Sequence, residues 1–227
     1  WFGSDGEGLS RFYHDTSTFD SPFLEFRDLS IFSLYADGNR LYVGTSQGIS
    51  VFLIDREEVK ESYRRLGNLA KDTEVTALEI HDGILFAGTP DGLAWARLDQ
   101  ANLQDPDSWV VKPNTGPVAG LVAAGGLVHA GSQLGVFTYE PTTDTFFYDY
   151  SARGVTAVGA KSDVGIAATY AGDFVLRHGP RDWQRIGAPI INEVAAASRS
   201  GRDHLWLGTA DGLRVVGTNA PTLAPSG

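Results

Sequence analysis

Short runs of alternating apolar and polar residues fill this chain, and glycine-containing turns cut them into pieces of strand length. Val75-Thr76-Ala77-Leu78-Glu79-Ile80 has the two-residue period of a half-buried strand, and His81-Asp82-Gly83 follows as a tight turn. Ile84 to Thr89 reads as a second strand, Pro90-Asp91-Gly92 as another turn, and Leu93 to Leu98 as a third strand. After a longer connection from Asp99 to Ser108, Trp109 to Lys112 reads as the outer strand. Four strands in one such unit predict an antiparallel meander.

The unit recurs. Leu41-Tyr42-Val43-Gly44-Thr45-Ser46-Gln47-Gly48-Ile49 returns as Leu85 to Leu93 and as Leu205 to Leu213, with Val128 to Val136 a fair copy. Trp1 to Leu9 is one residue longer, and Ile166 to Gly172 is the most decayed, with Ala168 in place of the glycine. The glycine positions 3, 44, 88, 131, 168 and 208 are separated by 41, 44, 43, 37 and 40 residues. A period of roughly 40–50 residues belongs to a four-stranded propeller blade, and the Gly-rich, β-branched and aromatic content of each unit excludes helical repeats.

Inner strands are expected at Ile31–Ala36, Val75–Ile80, Val118–Ala123 and Val155–Ala160, and further outer strands at Phe23–Phe26, Thr145–Tyr150 and Trp183–Ile186. The charged segment Asp55 to Lys71 reads as a solvated excursion with room for a short helix. The third inner-strand residue is small in Ser33, Ala77, Gly120 and Ala157, as convergence on a crowded axis requires. The repeat glycine is expected to let neighbouring sheets approach.

The fold expected is therefore all-β: a β-propeller of about six four-stranded blades over residues 1–217, or a portion of a larger one. Blade repeats centre near 1–10, 41–50, 85–94, 127–137, 165–174 and 205–214, and residues 218–227 read as a linker-like tail without an outer strand. The chain opens in mid-strand and has no Met, so a processed or incomplete N-terminus is expected.

Leu205 to Leu213, preceded by Ser200-Gly201, resembles the two-component regulator propeller repeat, as do Leu41 to Ile49 and Leu85 to Leu93. The resemblance spans nearly the whole chain, and three of its six copies are good. It implies a propeller of the kind found as the extracytoplasmic sensor of bacterial hybrid histidine kinases, where carbohydrates or other nutrients are detected. Related repeats occur in cell-surface and secretion proteins and in virginiamycin B lyase-like propellers. The motif marks the fold and carries over no catalytic residue.

Composition narrows the partners. A net charge of −10, from 18 basic and 28 acidic residues, opposes nucleic acid and anionic membrane surfaces. No apolar run reaches membrane-spanning length, and without cysteine there are no disulfides or thiolate metal sites. The histidines His14, His81, His129, His178 and His204 are scattered, and the Asp-Gly pairs are explained by turn chemistry. No metal, no cofactor and no catalytic residues are expected.

A binding face is expected where the turns between second and third strands meet the links from each outer strand to the next inner strand. Ser46, Gln47, Asp91, Gln133, Tyr170 and Asp211 come from turns, and Asp28, Asn114, Arg153, Asn192 and Glu193 from links. Amides, carboxylates and an arginine beside aromatics suit a carbohydrate or other small polar ligand. Glu193 replaces the small inner-strand residue if the strand starts at Ile191, whereas a start at Val194 puts Ala196 there. Phe146 to Tyr150 reads as packing between blades, with a carbohydrate platform as the alternative. The function expected is a non-enzymatic recognition or scaffold module, extracytoplasmic, for a small ligand or another protein. A lyase- or hydrolase-type enzyme at the channel mouth, or a purely structural docking module, is the alternative.

Overall fold

A computed structural model describes residues 1–151, 154–161, 164–169, 174–176, 183–185, 191–199, 202–209, 212–217 and 220–224. The chain divides into two compact units, Trp1–Val111 and Lys112–Gly227. The first opens with two short hairpins, β1 (Phe2–Ser4) with β2 (Gly8–Ser10) and β3 (Phe12–Tyr13) with β4 (Thr18–Phe19). A four-stranded meander follows: β5 (Ile31–Asp37), β6 (Arg40–Thr45), β7 (Gly48–Leu53) and β8 (Glu58–Tyr63). A second comprises β9 (Ala77–His81), β10 (Ile84–Thr89), β11 (Gly92–Arg97) and β12 (Val110–Pro113).

Three further meanders carry the chain to residue 224. They are β13 (Val118–Ala124), β14 (Leu127–Ser132), β15 (Val136–Glu140) and β16 (Thr145–Tyr150); β17 (Val155–Lys161), β18 (Val164–Thr169), β19 (Phe174–Leu176) and β20 (Trp183–Arg185); and β21 (Ile191–Arg199), β22 (Arg202–Thr209), β23 (Gly212–Gly217) and β24 (Ala220–Ala224). β24 lies inside the stretch whose composition reads as a linker, and it supplies the fourth strand of that sheet.

Two repeat glycines show why the position stays bare. A Cβ on Gly44 would stand 2.6 Å from the Val75 carbonyl oxygen and 3.1 Å from Val75 Cγ1, so the sheets of the first unit approach as closely as a bare backbone allows. In the second unit a Cβ on Gly131 would collide with Val155 and Val158. The hydroxyl after the glycine clamps the next turn. Thr45 Oγ1 donates to the Gly48 carbonyl at 3.0 Å and accepts the Gln47 N–H at 2.9 Å. Thr89 and Ser132 make the same pair of bonds in their own sheets.

Apolar faces then fill the gaps between sheets. Leu9, Phe26, Ile31, Leu41, Val43 and Phe52 form one buried cluster, and Tyr42, Ile49, Leu78, Leu85 and Trp109 belong to the next. Val136, Val155 and Ala167 form a corresponding layer in the second unit.

Three strand expectations are corrected. Phe23–Phe26 is not an outer strand: Leu24–Phe26 is a 3-10 turn that plugs Phe26, fully buried, into the core. The charged segment from Asp55 holds β8 rather than a helix, because Val59, Glu61 and Tyr63 alternate inward against exposed Glu58 and Lys60. The inner strand β9 begins at Ala77 and not Val75. Ser46 N–H and Gln133 N–H bond the carbonyls of Ser30 and Pro117 at their strand starts, but Pro90 at the matching position has no N–H to give.

The inner strands β5, β13, β17 and β21 share a β-bulge near their first residues. Register shifts fall between Ile31 and Ser33, Val118 and Gly120, Val155 and Ala157, and Ile191 and Glu193. Beyond it, Ser33 faces Gly44, Gly120 faces Gly131 and Ala157 faces Ala168. Glu193 faces Gly208 at that same register position, so the strand starts at Ile191 and the alternative start at Val194 is excluded.

Candidate functional site

The turns between second and third strands and the outer-to-inner links sit on one edge of each sheet, because both connect strand ends of the same polarity in a meander. In the first unit this edge is a polar network. Gln47 is exposed, and its Oε1 accepts from Arg64 Nη2 at 2.9 Å; Arg64 Nε also donates to Asp72 Oδ1 at 2.5 Å. Ser30 Oγ donates to Asp5 Oδ1 at 2.5 Å, and Ser30 N–H reaches Ser46 Oγ at 3.4 Å. Asp91 stands exposed with its N–H on Thr89 Oγ1, and Asp28 is an exposed turn residue with φ 65°.

In the second unit the link that starts at Asn114 packs on the turn that carries Gln133, and an aromatic hydroxyl bonds that same turn. Asn114, exposed with φ 63°, starts the link whose Gly116 packs on the β14–β15 turn; a Cβ on Gly116 would lie 3.4 Å from Gln133 Cβ and 3.3 Å from Leu134 Cγ. Gln133 is fixed by its backbone, which donates to the Pro117 carbonyl at 3.0 Å and accepts from Gly154 at 2.8 Å, while its side chain is exposed. Tyr148 is 51% exposed; its hydroxyl donates to the Leu134 carbonyl at 3.3 Å and its ring meets Phe137 edge-on at 5.3 Å. A half-exposed ring held by Phe137 and through its hydroxyl can stack on an apolar sugar face, while exposed amides of the turn and link bond hydroxyls.

The aromatic run is divided between the two roles weighed for it. Phe146 is fully buried against Tyr139, 5.4 Å between centroids, whereas Phe147 and Tyr148 are both exposed. Phe147 and Tyr148 pair in regular register with Thr138 and Phe137, so they leave opposite faces of this end strand, and the bulge at Asp149 follows them.

Arg153, Tyr170 and Asp211 lie outside the described residues. Asn192 occupies the bulge of β21, and Glu193 the register position opposite Gly208. Sequence reasoning missed Arg64 and Asp72: nothing in a charged segment marks which arginine will meet a turn amide 17 residues earlier. It also missed an open groove of about 800 Å³ lined by Arg65, Gly67, Asn68, Asp105, Asp107 and Trp109. That groove mixes one cation with two carboxylates. Trp109 is 5% exposed with its Nε1 donating to the Leu103 carbonyl at 2.9 Å, which leaves little ring for a ligand. The turn edges are the better candidate because their polar groups are exposed and held in place.

No protein-family model matches the chain, and no curated protein matches it either. Solved structures do. The extracellular domain of BT4673 from B. thetaiotaomicron, assigned to a one-component system, is similar with a TM-score of 0.72 and 16% identity over 93% of this chain and 30% of that one. The extracellular domain of BT3049 from the same organism, assigned to a hybrid two-component system, gives 0.67 and 19% over 97% and 32%. The WD40 repeats of RRP9 give 0.72 and 10% over 98% and 74%. At these identities the likeness establishes the fold alone: an all-β, propeller-type array of four-stranded antiparallel sheets. The chain spans about three tenths of the length of the two extracellular domains. Among the described residues no helix is long and apolar enough to cross a membrane.

Proposed function

We propose that this chain is a non-enzymatic recognition module, of the extracytoplasmic sensor or scaffold kind, that takes carbohydrate or another small hydroxyl-rich ligand on its turn edges. The six repeats are read as blades of one propeller or of part of a larger one. The observation that carries the reading is the half-exposed Tyr148 ring, pinned through its hydroxyl to the Leu134 carbonyl of the turn that also carries the exposed Gln133. The likeness to extracellular domains of regulatory systems supports the compartment.

The Gln47–Arg64–Asp72 network offers further polar anchors on the same edge of its own sheet, and Glu193 stays a candidate by its register position. A glycan array followed by calorimetry tests the reading. The expected result is reversible binding that Tyr148→Ala weakens by at least about tenfold, the worth of one aromatic contact, with the circular dichroism spectrum unchanged. A folded protein that binds nothing on the array, or a Tyr148→Ala variant that binds equally well, overturns it.

A further inference from the structure

Among the histidines whose side chains are described, His129 is the fully buried one, at 0% exposed, in the centre of the β13–β16 sheet. Its ring is bonded at both nitrogens. Nε2 lies 3.1 Å from the Ala124 carbonyl, and Nδ1 lies 2.8 Å from Thr138 Oγ1. Thr138 Oγ1 in turn lies 2.7 Å from Asp149 Oδ2, so four groups form one line through the sheet.

Counting protons along this line gives more than a neutral histidine can supply. The Ala124 carbonyl only accepts, so Nε2 carries a hydrogen. The Thr138 hydroxyl owns one hydrogen, and at 2.7 Å from a carboxylate that hydrogen points to Asp149. Thr138 then accepts from Nδ1, which must carry a hydrogen as well. All three contacts are hydrogen bonds only when the line holds one proton beyond a neutral imidazole and an ionised carboxylate. An imidazole is intrinsically more basic than a carboxylate by roughly two and a half units, so the ring is where that proton sits.

We propose that His129, Thr138 and Asp149 form a buried proton-holding relay, with His129 kept as an imidazolium whose charge is balanced through the Thr138 hydroxyl by the Asp149 carboxylate. Among the described side chains, the titratable groups on the elements packed around it are engaged elsewhere. On β15, Tyr139 donates to Asp144 at 2.7 Å and Glu140 accepts from Thr142 Oγ1 at 3.1 Å, so both are turned to their own hairpin. β13 carries no titratable residue, and β17 presents Val155 and Val158 to this sheet. On β16, Tyr148 donates to the Leu134 carbonyl, and Tyr150 packs with the apolar layer of Val136 and Val155.

The relay ends on the bulge of the outer strand. Asp149 is the extra residue between Tyr148 and Tyr150, and its carboxylate accepts from Thr138. Loss of the proton would therefore loosen the outer strand rather than only the ring.

Ring ¹⁵N resonances of the histidines report protonation directly. His129 is expected to show both nitrogens protonated at pH 7.5, at least about one pH unit beyond the midpoint of an ordinary exposed imidazole. Asp149→Asn removes the counter-charge and should bring His129 to the neutral form at that pH. Thr138→Ser should leave it charged and Thr138→Val neutral, which separates the relay from a general effect of mutation if the Asp149 variant folds poorly. A wild-type His129 that is neutral at pH 7.5, or one whose titration ignores both Asp149→Asn and Thr138→Val, overturns the proposal.

Discussion

Ser33 Oγ accepts the backbone N–H of Leu78 at 3.0 Å, joining β5 to the inner strand of the next sheet across 45 residues of chain. The repeat asks only for a small side chain at this position, and in Ala77, Gly120 and Ala157 smallness is all that is present. Here the side chain also satisfies a backbone donor on β9, the end strand of its sheet.

Ser33→Ala should therefore cost about 1–3 kcal/mol, because a largely buried amide loses its acceptor while the packing volume barely changes. Urea unfolding checks the midpoint, and hydrogen exchange at the Leu78 amide checks the cause. An unchanged exchange rate at Leu78 would show that another acceptor takes over.

The hydroxyl clamp of the repeat gives a second prediction. Thr89 is fully buried and makes two turn bonds, to the Gly92 carbonyl at 2.9 Å and from the Asp91 N–H at 3.2 Å. Thr89→Val keeps the shape and removes both, for a loss of about 1–3 kcal/mol, whereas Thr89→Ser keeps both and should lose less. If the two variants melt together, the clamp contributes shape and not hydrogen bonding.

Gly44→Ala and Gly38→Ala distinguish close approach from backbone conformation. At Gly44 the new methyl meets the Val75 carbonyl at 2.6 Å, a backbone atom that cannot swing aside, so the two sheets must part. At Gly38 a Cβ meets nothing within 4 Å, and only the positive φ of 57° is penalised, at about 1 kcal/mol. Thermal unfolding should rank Gly44→Ala clearly the more damaging.

How far the sequence reaches follows from the range of the interactions involved. The inner and second strands are legible because the Gly-Thr turn and the two-residue alternation are local. β8 is hidden because Glu58, Lys60 and Glu61 mask the alternation of Val59 and Tyr63. The site is legible one residue at a time: Gln133 and Asn114 can be picked out as polar loop residues, but the bond from Tyr148 to the Leu134 carbonyl joins residues 14 apart and has no sequence signature. Pro90 is the contrary case, since its missing N–H is visible in the sequence and its effect on the strand start follows from it.

Alkaline pH should unfold the protein through its buried phenols. Burial, and then the charge of Glu61, raises the Tyr63 hydroxyl above its ordinary range; burial, and then Glu79, raises Tyr35. A phenol raised in the folded state is ionised more readily when unfolded, so its stabilising contribution is complete below about pH 10 and is lost as pH climbs past that unfolded value. Ultraviolet titration of the 8 tyrosines should show a group that ionises only together with loss of the circular dichroism signal. Tyr63→Phe should move that alkaline transition upward in pH.

Glu193 tests whether one departure from the repeat serves recognition or folding. Its register partner is Gly208, as Gly44 is for Ser33 and Gly131 for Gly120, so the backbone environment is that of a position filled elsewhere by Ser, Ala or Gly. A large, charged residue stands where the repeat has small ones, and the packing that the repeat encodes does not call for it. Glu193→Ser should accordingly leave the unfolding midpoint unchanged or raise it, while weakening the binding of a hydroxyl-rich ligand by about tenfold or more, the loss expected for a charged hydrogen bond. A variant that unfolds earlier would instead make the carboxylate part of the fold.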